Sequence, residues 1–460
     1  MDELREKLFY EQKNGYDLIG TDERIACEDY CAAYMRYLDA SRTEREAVKN
    51  AIAEAGEAGF VPYVPGMALR PGMRVYRNNR GKTLFLAVIG RKSLAEGCVI
   101  CGAHIDSPRL DLKQLPLYES DEMCYLRTHY YGGIKKYQWV TIPLELHGLV
   151  SLRDGSCVEI ALGREKDEPK FVITDLLPHL AADQMKKTMA EGITGEGLNI
   201  LIGSAPYADE GKDRVKLAVL SLLNDLYGVD EEDFLSAELV AVPAFDVCEI
   251  GLDRSMIGGY GHDDRVCAYA ALKAIFDARE PERSCVCILT DKEEIGSEGV
   301  SGMQSEAFDT FMADLCESQG VALRRCFEKS VCLSADVTAA VDPLYPEVSE
   351  KRNGSKFNYG VGVCKFSGVR GKYGSSDASA ELVGHFRRLF ARRRVVWQMA
   401  ELGKVDQGGG GTIAKFMAKR NIDTLDAGVP VLSMHAPFEV VAKLDCYMTY
   451  KAMLAAFEEG

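Results

Sequence analysis

Apolar positions follow two different patterns along the chain. Over residues 21–57 they recur at helical spacing, with Asp22 placed to cap the start and glycines at 56 and 59 to stop the run. KTLFLAVIG (82–90) and GCVICGAHID (97–106) are short, almost unbroken apolar runs closed by glycine or a polar turn, which predicts buried strands. From about 107 to 250 the pattern shortens to alternating segments such as TIPLELHGLVSL and SCVEIALG. One helix-like stretch, HLAADQMKKTMAEG (179–192), interrupts them. After GGYGHDDR the first pattern returns. It predicts a helix over 263–278, strands at SCVCILT and SVCLSADV, helices at ASAELVGHFRRLFARRR and GGGGTIAKFMAKR, and a last strand over 428–437.

Strand and helix alternating at this spacing predict an α/β fold, a mostly parallel central sheet flanked by helices. A chain of 460 residues exceeds the usual size of one core. The simplest division gives residues 1–106 and 251–460 to the α/β domain and 107–250 to an inserted β-rich domain.

Composition changes this picture little. Hydrophobic residues make up 47% and charged ones 27%, as in ordinary globular proteins, and the net charge of −15 argues against nucleic acid or an anionic membrane as partner. The charged start MDELREKLFYEQ lacks the apolar core of a secretory signal, and no apolar run is long enough to span a bilayer. Fifteen scattered cysteines, an odd count, suit reduced thiols and a cytoplasmic location. The lone CxxC of Cys98 and Cys101 reads as a pair of core thiols.

Candidate chemistry lies where predicted strands end. His104 and Asp106 close CVICGAHID, Asp263 follows a glycine turn, and Glu293 and Glu294 follow SCVCILT. Asp336 closes SVCLSAD and His435 closes GVPVLSMH. Read singly, each has an ordinary structural use, such as a helix cap or a hydrogen-bonded histidine. Together they would converge at the carboxyl edge of an open sheet, where ligands bind. Three carboxylates, Asp263, Glu294 and Asp336, with two neutral imidazoles suit a pair of divalent cations: zinc, with cobalt or manganese as alternatives. Neighbouring side chains on a strand point in different directions, so Glu294 can bind metal while Glu293 moves a proton. Asp106, two residues after His104, is placed to orient that imidazole.

Taken in order, GAHIDSPRL, GYGHDDRVCAY, DKEEIGSEG, SADVTAAVDP and SMHAPFEV resemble the M18 family of metallo-aminopeptidases, the aspartyl aminopeptidase and aminopeptidase I group. The resemblance covers about residues 15–455. It implies one metal on His104, Asp263 and Asp336 and a second on Glu294, Asp263 and His435, with Asp263 bridging. Glu293 would be the general base, Asp106 would orient His104, and Asp264 would stand behind the ligands. It further implies that the inserted domain makes dimers that build a dodecamer. His179, in LLPHLAAD, would reach a neighbouring subunit's site to stabilise the oxyanion. Lys365 and Met434 would line the substrate pocket.

The implied function is removal of N-terminal residues from peptides, acidic ones among them if Lys365 faces the pocket. A two-metal amidohydrolase acting on N-acylated substrates and a non-catalytic scaffold of the same fold are the competing readings. VDQGGGGTI lacks the lysine and preceding strand of a P-loop and reads as a turn shaping the substrate entrance. The basic run HFRRLFARRR reads as a solvated or subunit-contacting helix face.

Overall fold

The computed structural model describes residues 2–460. A nine-stranded sheet lies at its centre. The strand Cys98–His104 runs parallel to Ser284–Thr290 on one side and to Val331–Ser334 on the other, and Asp423–Gly428 extends this parallel set. Thr83–Val88 and Val361–Cys364 flank it antiparallel. Thr83–Val88, Cys98–His104 and Ser284–Thr290 are buried at every position, which is why they read as continuous apolar runs. Successive residues feed opposite cores. Val99, Cys101 and Ala103 meet the face covered by helices Thr21–Ala40, His262–Asp277 and Lys443–Glu459. Cys98 and Ile100 meet the face that holds Phe308, Phe311 and Phe416. Cys98 and Cys101 therefore sit on opposite sides of the sheet, where no single ion could join them.

A six-stranded antiparallel sheet uses strands from Arg109–Ser120 to Ala237–Pro243 and has its own core around Leu126, Trp139, Leu144 and Val242. Polar contacts tie it to the N-terminal helices. Buried Arg42 lies 2.8 Å from Asp39 and 3.2 Å from Glu145, and His147 Nδ1 lies 2.7 Å from Glu46 Oε1. Among the described residues no helix is long and apolar enough to cross a membrane.

Four expectations are corrected. The helix over 21–57 is two, Thr21–Ala40 and Glu44–Glu57. The second starts at a capping box of Thr43 with Glu46, and the first is preceded by Gly20 rather than capped by Asp22. The stretch 179–192 is a turn, a short 3-10 segment and one helical turn, because Leu180, Met185 and Met189 are exposed and drive no burial there. The long helix of this region is Arg214–Tyr227, whose near-continuous apolar run hides its period. The strand over 428–437 is also divided. Asp423–Gly428 belongs to the central sheet, while Pro430–Leu432 joins a separate five-stranded sheet.

Candidate active site

His104 ends its central strand and is wholly buried. Its Nε2 lies 3.2 Å from Asp263 Oδ1 and 3.8 Å from Asp336 Oδ1. His435 comes from the turn after Pro430–Leu432, and its Nε2 lies 3.1 Å from Asp263 Oδ2 and 3.6 Å from Glu294 Oε2. Asp263 thus turns one oxygen to each histidine. It sits at the distorted start of helix His262–Asp277, joined to Asp264 by a cis peptide.

Glu293 and Glu294 do not ride a strand, as strand alternation would have it. The strand ends at Thr290, and both acids occupy a 3-10 turn, Glu293–Ile295. Donor atoms of His104, Glu293 and Asp336 lie within 4.8 Å of one another, as do those of His104, Asp263 and Glu294.

Each imidazole uses its Nδ1 elsewhere. His104 Nδ1 donates to the carbonyl of Asp106 at 3.0 Å and His435 Nδ1 to the carbonyl of Gly133 at 2.8 Å. A carbonyl only accepts, so each Nε2 keeps its lone pair for a metal. Asp263 Oδ1 and Glu294 Oε1 are buried without a hydrogen-bond partner, the state of an acceptor that a cation would satisfy. The electrostatics agree. Burial and the charge of Asp263 push Glu294 well above the usual carboxylate range. Burial disfavours the His435 cation, but Asp263 and Glu294 overcome it and raise His435 to about 10. A cluster that draws protons onto its histidines is short of positive charge. Imidazole and carboxylate donors with no thiolate fit zinc in an open, catalytic arrangement.

Asp106 meets the His104 ring through its main-chain carbonyl, and its carboxylate has further partners. Its Oδ1 accepts the backbone N–H of Glu293 at 3.1 Å, and its Oδ2 accepts that of Glu294 at 3.2 Å and the Tyr131 hydroxyl at 2.7 Å. Burial would raise its carboxyl, but the bonds from His104 and Tyr131 hold it below the usual range. Two contributors are missing from the sequence reading. Glu439, buried behind the site, accepts the backbone N–H groups of Asp263 at 3.0 Å and His435 at 2.7 Å. The turn Gly132–Gly133, from the middle of the chain, abuts the site so closely that a Cβ on Gly133 would lie 3.4 Å from His435 Nδ1. The only sequence signals were a Glu four residues after His435 and a glycine pair.

The site opens into a cavity of about 570 Å³, lined by Asp263, Glu293, Glu294, Asp336, Met434 and His435 of the expected residues. Gly408 to Gly411 form part of its wall, with Gly409–Gly410 a two-residue strand paired to Gly368–Val369 rather than the expected turn. Lys365 is not among the lining residues. Cys364, Phe366 and Ser367 line the cavity, while the Lys365 ammonium lies 3.1 Å from Asp377. The cations that do line the cavity are Arg370, Lys404 and Lys415. His179 is exposed on a turn and is not among the residues lining its own chain's cavity.

Comparison with known proteins places the whole chain. Residues 37–457 match the family model described as aminopeptidase I zinc metalloprotease (M18). A probable M18 family aminopeptidase 1 of Clostridium acetobutylicum is 45% identical, over 97% of this chain and 99% of that protein. The crystal structure of the M18 aminopeptidase from Thermotoga maritima superposes with a TM-score of 0.94 at 43% identity, covering 98% of this chain and all of that one. The S. cerevisiae mApe1 dodecamer is similar in fold, with a TM-score of 0.76 at 19% identity over 94% of this chain and 97% of that one.

Proposed function

The chain belongs to the M18 family of zinc aminopeptidases, and on that premise we propose that its cleft removes N-terminal residues from peptides with two divalent ions per subunit. One observation carries the two-ion reading. Asp263 sets Oδ1 3.2 Å from His104 Nε2 and Oδ2 3.1 Å from His435 Nε2, the disposition of a carboxylate shared between neighbouring ions. His104, Asp263 and Asp336 would hold one ion, and Glu294, Asp263 and His435 the other. When bound, zinc ions polarise a carbonyl and lower the pKa of water, which generates a nucleophile at neutral pH. Glu293 faces the same cavity with its backbone clamped by Asp106, so its carboxylate takes the proton from the attacking water and returns it to the departing amine.

Arg370, Lys404 and Lys415 along the cavity support a preference for an acidic first residue, a role that Lys365 is not placed to fill. Met434 lines the same cavity and would contact that residue's side chain. The segment around His179 exposes Leu176, Leu177, Leu180, Met185 and Met189, an apolar surface that a second copy would cover. This supports residues 107–250 as a dimerisation domain and His179 as a donor to the oxyanion in a neighbour's site, with dimers building a dodecamer. Fifteen free thiols suit a reducing compartment, hence the cytoplasm.

The test is hydrolysis of a panel of aminoacyl anilides before and after chelation, with metal content measured on the same samples. Metal-dependent release from free-amine substrates is expected. No such activity on any member, or a preference for N-acylated substrates, would overturn the reading.

A further inference from the structure

Two buried carboxylates hold the working residues by their backbones. Asp106 grips Glu293 and Glu294. Glu439 grips Asp263 and His435, one oxygen for each N–H, and takes no other part in the site. We propose that Glu439 is a positioning residue that fixes the spacing of Asp263 and His435 and so sets the affinity of the ion those two share. The inference rests on the two-ion reading above.

The two ion positions are supported differently. His104 ends a strand of the central sheet, and Asp336 closely follows the neighbouring strand Val331–Ser334, so the ladder itself fixes their separation. Asp263 and His435 have no such ladder. Asp263 lies in the distorted first turn of its helix at φ −78° and ψ 107°. His435 sits at φ 64° and Ser433 at φ 59°, left-handed conformations that non-glycine residues hold only where the surroundings impose them.

For His435 those surroundings are few. Gly133 holds its ring, a turn bond runs from Ala436 N–H to the Ser433 carbonyl at 2.9 Å, and Glu439 holds its N–H. Glu439 is itself rigid. It is 1% exposed and begins the strand Glu439–Ala442, paired opposite Gly259 of the strand that leads into Asp263. One carboxylate on a sheet therefore spans two of the three proposed ligands of the second ion. Only a carboxylate can accept at both ends. A glutamine would turn an NH2 group toward one of the two N–H donors, and an aspartate is one methylene too short to reach both.

The experiment removes metal from the purified protein and from Glu439→Gln, then titrates Zn2+ against a chromogenic chelator and records thermal unfolding of both metal-free forms. Wild type is expected to bind two ions. In the variant the affinity for one ion should weaken roughly 10–100-fold, the usual cost of losing a group that orients a metal ligand, and that for the other, which shares Asp263 but not His435, by clearly less. Two unchanged affinities would overturn the proposal. So would equal weakening of both with a lowered metal-free Tm, which would make Glu439 a general scaffold residue. If Glu439→Gln does not yield folded protein, Glu439→Asp is titrated in its place and judged by the same selectivity. Wild type binding a single ion would reject the two-ion reading itself, an outcome distinct from failure of the Glu439 assignment.

Discussion

Asp106 accepts the backbone N–H of Glu293 at 3.1 Å, so the residue two positions after His104, a proposed metal ligand, also fixes the proposed base. Asp106→Asn keeps the shape but offers one accepting oxygen where three donors converge, those of Glu293, Glu294 and Tyr131. The His104 ring should keep its bond to the residue's main-chain carbonyl. The expected result is a fall in kcat of roughly 10–100-fold with a smaller change in KM, measured on an aminoacyl anilide with zinc saturating. Unchanged kcat would show that the clamp on the 3-10 turn is dispensable.

The parts of this site that could be read from sequence were those whose position follows from their own strand. His104 stands at the end of an apolar run, and Asp336 stands just past one. The parts that could not were set by partners distant in the chain. Glu439 acts through the main-chain N–H of Asp263, 176 residues away, so no pattern near either residue announces it. His435 seemed to end a central strand, but its turn belongs to another sheet, where hydrogen bonds rather than the ladder place it. Lys365 was misplaced for a related reason. It follows the strand Val361–Cys364, and the direction of a side chain beyond a strand's end is set by tertiary contacts, here the pairing with Asp377, that a local pattern does not display.

That misplacement leads to a prediction about specificity. With its ammonium paired to Asp377 outside the cavity lining, Lys365→Ala should change the ratio of kcat/KM for aspartyl over leucyl anilide by less than about threefold, as loss of an exposed ion pair would. Lys415 lines the cavity, and its charge only slightly offsets the burial that raises the Glu293 carboxyl to about 7. Lys415→Met should lower the same ratio roughly tenfold, about 1.4 kcal/mol of lost discrimination. Equal ratios in both variants would remove the cavity cations from substrate selection.

Stability should depend on pH through the joint between the six-stranded sheet and the N-terminal helices. His147 is 2% exposed and lies between Glu46 at 2.7 Å and Glu145 at 3.3 Å, with Arg42 3.2 Å from the same Glu145 oxygen. Burial opposes its charge, but the two carboxylates prevail and raise it to about 9 from 6.5. The folded state therefore binds this proton more tightly than the unfolded chain. The resulting stabilisation is complete below pH 6.5 and is lost as pH rises through about 9. Its size is on the order of 3 kcal/mol. Chemical denaturation of wild type and His147→Gln at several pH values should show a stability gap that narrows between pH 6.5 and 9. A gap independent of pH would mean that His147 contributes by packing alone.

The adjacent acids Glu293 and Glu294 offer the sharpest separation of roles. Both face the cavity from one 3-10 turn, and Asp106 clamps both backbones, so neither backbone placement nor exposure distinguishes them. Their partners do. Glu294 Oε2 lies 3.6 Å from His435 Nε2 and its Oε1 is buried without a partner, which leaves that oxygen for an ion. Glu294→Gln should therefore lose one of the two ions, with turnover falling in proportion to occupancy and partly restored by excess Zn2+. Glu293→Gln should keep both ions and lose roughly 10²–10⁴-fold in kcat, the range for removing a general base, with no rescue by metal. Metal content and kcat measured together on the two variants decide the matter. If the ion is lost from Glu293→Gln instead, the roles exchange, a result compatible with the proximity of Glu293 to His104 and Asp336 within 4.8 Å.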